Sequence, residues 1–536
     1  MAPSISVLKN LSHYQKVQLR QYFTLSQPFG PRSSEDIGED DLVQSLIFNT
    51  RNSVWKSYQG DPKFIVGRRG SGKTTIVSRT ELRGRFKYLN FAEMSVLAEK
   101  VDQALFSKNQ LKMGLTERCA KYWDFVLNIQ LMIEVVRSNP SASLSRITSF
   151  LESLEGSPLD NNSYLKKAFK ATNSVELNNS IGFLLTSIRS FLDAIAHGYH
   201  DALSDLDFFL KESNQRSVVV LDNLEEYDLT DYRTEQILKG LLKCAGSFGN
   251  SYRQIRVCIP AEHYFEVKAI SSNVTKDFGN AIILHWSPLE LMRIAAWRYL
   301  VFLSCHNHMQ RLNRFDTVDL SKRADVKFVL SDFLPITTKN TMKKDENSLV
   351  YIFRHTQLLP RQLIMTLNSI FKSSNGETFN YDASVLGGIK QIEGDICGDI
   401  FNAFQTKYPF CADLCDRVVE NLPRFFDSRE LRQVFEQFGT VALSNHPDID
   451  YHRFRQILSE IGAIGKVKGT YKLYKDADFE YGLSGRLSFS PKDEICLHPA
   501  FSGTFETAHN SKSKKIVSPH HKFINLDKYV DRTLEL

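Results

Sequence analysis

Residues 64–75 read Phe64-Ile-Val-Gly-Arg-Arg-Gly-Ser-Gly-Lys-Thr-Thr75, and no other stretch of the 536-residue chain constrains the fold as strongly. Gly67, Gly72, Lys73 and Thr74 satisfy the pattern G-x-x-x-x-G-K-[ST], whose backbone wraps a chain of phosphates. Small residues at 67, 70, 71 and 72 let the main chain curl so that several N–H groups point inward at one anion. The segment Gly67, Arg68, Arg69, Gly70, Ser71, Gly72, Lys73, Thr74, Thr75 is therefore the expected nucleotide cradle. Lys73 should meet the β- and γ-phosphates as a point charge, and the Thr74 hydroxyl should ligate Mg²⁺. Lys63-Phe-Ile-Val66 reads as a short buried strand before the loop, and residues 74–80 read as the start of a helix after it. ATP or GTP is the expected ligand, with ATP and Mg²⁺ the favoured pair.

A second half-site stands far downstream. Ser217-Val-Val-Val-Leu-Asp-Asn-Leu-Glu-Glu226 is a continuous apolar run that ends in acid, as a strand buried on both faces would. Asp222 falls at the carboxyl end of that strand, where parallel sheets gather their ligands, and is the second expected magnesium residue beside Thr74. Glu225 or Glu226 would then polarise the attacking water. Thr74 and Asp222 are 148 positions apart, more than two strands and two helices require.

The order of strand, phosphate loop, helix and distant D-x-x-E-E strand end resembles the AAA+ and STAND branch of P-loop ATPases. Leu221-Asp-Asn-Leu-Glu-Glu226 is similar to the D-G-L-D-E form of STAND proteins, although Asn223 stands where many such ATPases carry an acid. The resemblance implies an α/β P-loop NTPase core with a parallel sheet. It also implies a polar γ-phosphate sensor after the strand Ile255-Arg-Val-Cys-Ile-Pro260, for which Glu262 and His263 are weak candidates. The apolar run from Leu289 to Leu300, begun by Pro288, resembles the junction between such a core and a helical lid. Pro360-Arg361 opens a further helix, and Arg361 resembles the lid arginine that reaches the γ-phosphate. An ordinary surface arginine behind a helix-starting proline is the rival reading.

Composition bounds the rest. The hydrophobic fraction of 42% is enough for two or three cores. With 67 basic and 61 acidic residues the net charge is +6, so charge alone demands no nucleic acid. No apolar run approaches the roughly 20 residues that span a bilayer, and no secretory layout opens the chain; a soluble, cytoplasmic protein without membrane contact is expected. The eight cysteines are scattered and read as reduced, buried thiols. Cys305-His-Asn-His308 reads as a helix end rather than a metal site, because no complementary group stands near it.

The expected domains are a helical segment at 1–60, a nucleotide core at 61–290 with a helical insertion at about 92–210, a helical lid at 291–380, a winged-helix domain at 381–505 and a flexible basic tail at 506–536. The insertion is read from helical patterns at 92–105, 116–138, 144–154 and 180–210, the last with a break near Gly198. The winged helix is read from helices at 428–438 and 450–461, followed by β-like stretches at 465–474, 486–489 and 494–498. From 453 to 475 six basic residues face one acid, which makes Arg453, Arg455, Lys466 and Lys468 candidate contacts to duplex DNA. Three functions fit. One is an ATP-binding and ATP-hydrolysing regulatory switch that acts through a homo-oligomer or an effector protein, a type the resemblance associates with bacterial regulation and antiviral defence. The others are a DNA-engaging ATPase of origin-recognition or transposition type and a nucleotide-binding scaffold without turnover.

Overall fold

A computed structural model describes residues 5–33, 62–77, 86–91, 114–140, 142–155, 163–170, 198–222, 232–271, 281–372, 384–482, 485–505 and 514–519, with isolated positions at 37, 42–43, 46, 180, 184, 278–279 and 507. The chain divides into two compact units. A parallel-sheet unit comprises Ser53–Arg68 and Lys73–Leu284, and a terminal unit comprises Met1–Asn52, Arg69–Gly72 and His285–Leu536.

In the parallel-sheet unit the strands are β1 (Phe64–Gly67), β2 (Phe86–Phe91), β3 (Arg216–Leu221), β4 (Arg253–Pro260) and β5 (Ala281–Ile283). All pair in parallel, in the spatial order β2-β3-β4-β1-β5. The short apolar β1 is wholly buried because it lies inside the sheet, with Phe64 opposite Val257 of β4 and Ala281 of β5. Alternation of side chains divides the apolar runs between two layers. Phe64, Val66, Val219 and Leu221 face one core, while Ile65, Val218 and Val220 face another with Ile76 and Val77.

The larger core is not closed by the sheet alone. Helices Leu115–Ser138 and Tyr232–Ser247 cover it, and Ile147, Leu151, Leu165 and Leu206 of further helices join the same cluster. The expected insertion therefore shares the core of the sheet. Residues 92–113, and most of 171–197, lie outside the described residues. At the position where a break is expected, Gly198 adopts φ +85°, and Tyr199 after it turns into a polar seam. Tyr199 donates to the Asp124 carboxylate at 3.0 Å and meets Asn128 at 2.9 Å. Arg253 of β4 joins Asn128 to Asp207, closing the seam on the helix His200–Glu212.

The terminal unit is organised around Pro288–Cys305, a helix buried on almost every side. Its start is capped as the sequence implies, with Pro288 at the first turn and Ser287 and Glu290 forming a capping box. The helices Ile5–Lys9 and His13–Arg20 do not form a segment of their own. Ile5, Leu8, Leu19 and Phe23 share one core with Leu291, Trp297 and Phe302, and Arg298 donates to the carbonyls of Phe29 and Pro31 at 2.8 Å each. The division at residue 60 is thus corrected for the described residues: apolar burial ties them to the expected lid.

A two-stranded ribbon, β6 (Thr337–Lys339) and β7 (Asp345–Asn347), precedes a second sheet of β8 (Phe425–Phe426), β9 (Ile464–Thr470), β10 (Tyr474–Asp478), β11 (Ile495–Leu497) and β12 (Ile516–Ser518). Its order is β12-β10-β9-β11-β8. The stretch expected at 465–474 is a hairpin whose turn is closed by Tyr471 N–H donating to the Tyr474 carbonyl at 2.7 Å. The stretch expected at 486–489 is not a strand. Its backbone groups are taken by side chains instead, since Leu487 N–H donates to Glu480 and the Ser488 carbonyl accepts from Lys466. The expected flexible tail is also corrected at Ile516–Ser518, which forms β12 and pairs in parallel with β10. Among the described residues no helix is long and apolar enough to cross a membrane.

Gly240 marks the closest approach of the two helices over the parallel sheet, since a β-carbon there would lie 2.8 Å from the backbone carbon of Cys119. Gly240→Ala removes the helix penalty of glycine, about 1 kcal/mol, yet overpacks this crossing by about 1–3 kcal/mol. Net destabilisation is expected in urea unfolding, and a more stable variant would contradict the crossing.

Candidate functional site

The turn after β1 is shaped by its glycines. Gly70 and Gly72 adopt φ +81° and +87°, values that an L side chain resists, so the chain doubles back between β1 and the helix Lys73–Val77. Lys73 is buried, and its ammonium donates to the Gly67 carbonyl at 2.9 Å. The Oγ1 of Thr74 donates to Oδ2 of Asp222 at 2.5 Å, which joins the loop to the residue following β3. Asp222 is itself buried. Two oxygen ligands of the kind hard cations prefer thus meet beside a buried ammonium.

The expected site residues spread as follows. Gly67, Lys73, Thr74 and Asp222 converge at the carboxyl ends of β1 and β3. Arg68 pairs with Glu262 at 3.5 Å, so the carboxylate in the turn after β4 is engaged by the loop, and His263 is buried beside it in sequence. Arg69 donates to the Asn402 carbonyl at 3.2 Å. Ser71 is fully buried, its carbonyl accepts from the Trp286 indole at 2.7 Å, and its hydroxyl has no partner among the described residues. Thr75 is half-buried one residue beyond Thr74. Glu225 and Glu226 lie outside the described residues.

Arg361 stands in the first turn of the helix Pro360–Ile370. Its N–H donates to the Gly70 carbonyl at 3.4 Å, and a β-carbon built on Gly70 would lie 3.0 Å from its Cβ. The arginine singled out by its place after Pro360 therefore lies directly against the loop.

The four candidate DNA contacts are each engaged within the chain. Lys466 pairs with Asp493 at 2.6 Å and Lys468 with Asp478 at 3.7 Å. Arg453 donates to the Tyr408 hydroxyl at 3.1 Å and lies 3.9 Å from Glu460. The Arg455 guanidinium covers the rings of Tyr451 and Phe489. All eight cysteines are buried and none is in a disulfide, and among the described residues no group of three or more His, Cys, Asp or Glu forms a metal site. His306 is instead held by the Phe23 carbonyl at 2.7 Å.

Sequence reading missed the Arg68–Glu262 pair and the Trp286 indole that fixes the loop carbonyl. The only sequence signal for either was position, at a strand end and just before a helix-starting proline. Comparison with models of known protein families gives no match, and comparison with curated proteins gives none either.

The loop geometry makes a paired prediction. Gly72→Ala forces a side chain into the left-handed region and should cost about 1–2 kcal/mol. Gly394, in the helix Val385–Phe404, has open space around it, so Gly394→Ala should stabilise by up to about 1 kcal/mol. Thermal unfolding of the two variants should therefore shift in opposite directions.

Proposed function

We propose that this chain is an ATP-binding and ATP-hydrolysing regulatory switch of the P-loop ATPase class. The observation that carries the reading is the hydrogen bond from Thr74 to Asp222 beside a buried Lys73. Residues distant in sequence meet in an arrangement that neutral packing does not require and that a magnesium nucleotide would use. In this reading the backbone of residues 67–75 cradles the phosphates, and Lys73 offsets their charge in place of its present bond to Gly67. Thr74 and Asp222 would hold Mg²⁺, which would neutralise charge developing on the phosphate oxygens. Arg361, seated on Gly70, would respond to the γ-phosphate, and Glu225 or Glu226 would orient the attacking water.

The parallel sheet supports a P-loop core, with the loop following an internal strand and the acid following β3. The order of Ser428–Val434, Tyr451–Glu460 and the β9–β10 hairpin supports a winged-helix domain. A switch is favoured over a DNA machine because Arg453, Arg455, Lys466 and Lys468 already have partners within the chain, so phosphate contacts would have to displace them. Its output would pass through oligomerisation or an effector protein.

Lys73→Ala should weaken ATP binding at least tenfold while leaving the melting temperature within a few degrees, because a hydrogen bond to a charged group contributes about 1.5–3 kcal/mol. Equal ATP affinity in calorimetry would remove the phosphate-loop reading. Asp222→Asn should abolish Mg²⁺-dependent phosphate release. Of Glu225→Gln and Glu226→Gln, the variant that binds ATP without cleaving it identifies the water-orienting acid. Unchanged turnover in all three would remove these acids from catalysis, and a wild type that binds ATP without releasing phosphate would leave a scaffold.

A further inference from the structure

The terminal unit contains a cavity of about 360 Å³, within the size range of small-molecule sites. Arg354, His355, Lys390, Glu393 and Arg424 line it. Arg354 comes from the helix Ser348–Arg354, Glu393 from Val385–Phe404, and Arg424 from the residue before β8. Three elements far apart in sequence thus bring cations to one space.

The charges around that space do not balance. Arg354 is matched by Glu346, a fully buried carboxylate 2.9 Å from its Nε. Arg424 is not matched in this way. Among the described residues its hydrogen bonds go to neutral acceptors, the Lys515 carbonyl at 3.4 Å and the Met342 sulfur at 3.8 Å. Burial and the neighbouring Arg354 both disfavour its charge. Lys390 adds a third cation at the exposed rim.

The single carboxylate in the lining, Glu393, offsets little of this charge. Burial pushes its pKa up to about 7, against the opposing pull of Arg354 and Lys390. Its neighbour His355 is held neutral by burial, and the His355 Nδ1 lies 2.7 Å from the Tyr351 carbonyl. An Nδ1–H donated to that carbonyl leaves Nε2 as an acceptor, facing Glu393 at 3.4 Å. A protonated Glu393 satisfies that acceptor, and the pair then carries no charge. What remains is the Arg424 guanidinium beside Arg354, whose charge Glu346 already offsets, and the Lys390 ammonium at the rim, donors of the kind that suit a phosphate. The lining also includes the buried apolar side chains of Leu497 and Ile516.

We propose that this cavity binds a small phosphate monoester, with the phosphate between Arg354 and Arg424 and the organic part against Leu497 and Ile516. It is a ligand site separate in sequence from the phosphate loop and independent of the ATPase reading. Because β12 supplies Ile516, that strand forms part of the wall.

The test is calorimetric titration of the full-length protein with AMP and with ribose 5-phosphate, each compared with adenosine. Binding of at least one ester with Kd below about 1 mM is expected, with none for adenosine. The affinity should be unchanged in Lys73→Ala, reduced at least tenfold in Arg424→Gln, and reduced severalfold in Lys390→Ala, a position exposed enough to leave folding intact. Glu393→Gln, which fixes the uncharged form, should bind at least as tightly as wild type at pH 8. The proposal is overturned if neither ester binds, if adenosine binds equally, if Lys73→Ala abolishes binding, or if folded Arg424→Gln and Lys390→Ala both bind like wild type.

Discussion

Parallel pairing is the constraint on which the rest of the first unit depends. Strands that all run the same way must be joined by crossovers, so the segments leaving β1, β3 and β4 emerge at one edge of the sheet. That geometry brings Asp222 to Thr74 and puts Glu262 within reach of Arg68. It also requires both faces of the sheet to be covered, which explains why β1 and the Val218–Leu221 part of β3 are continuous apolar runs rather than alternating ones. Once β1 lies between β4 and β5, there is little freedom left for the position of the loop that follows it.

The helices on either side of β3 in sequence obey the same constraint. A sheet with only short crossover helices would leave Val219 and Leu221 poorly covered, and the layer of Leu115–Ser138 and Tyr232–Ser247 supplies that cover. The polar seam of Asp124, Asn128, Tyr199, Asp207 and Arg253 then fixes the register of this layer against β4. Each member of the seam has a partner, so it gives direction to a packing that apolar contacts alone would leave free to slide.

Features legible in the sequence are those whose chemistry is local. Gly70, Gly72, Lys73 and Thr74 stand within five positions, and their spacing alone announces a tight turn with a buried cation. Asp222 was legible because a long apolar run ended there, and Arg361 because Pro360 marked the start of a helix. Each has a short-range physical cause. The Arg253–Asp207 and Arg354–Glu346 pairs had no comparable signal, since a single arginine in a strand or helix looks the same whether it meets solvent or a carboxylate. Residues 486–489 misled because alternation suits a strand, while the side chains of Glu480 and Lys466 had already claimed the backbone. The strand at Ile516–Ser518 was hidden by the polar residues around it, although its three residues are buried.

The eight cysteines have a practical consequence. Each is buried, and desolvation raises the pKa of several, with Cys305 and Cys397 pushed up to about 12. A thiol in that state is a poor nucleophile until the structure around it opens. The wild-type chain therefore carries a built-in reporter of local opening, since the rate at which an alkylating reagent modifies each position measures how often that part of the fold exposes it. Cys258 lies in β4, Cys305 at the end of Pro288–Cys305, and Cys496 in β11, so one labelling experiment would compare the breathing of three separate cores. A new cysteine placed on the surface would react first and alone, which makes the unmodified protein a ready background for site-directed probes.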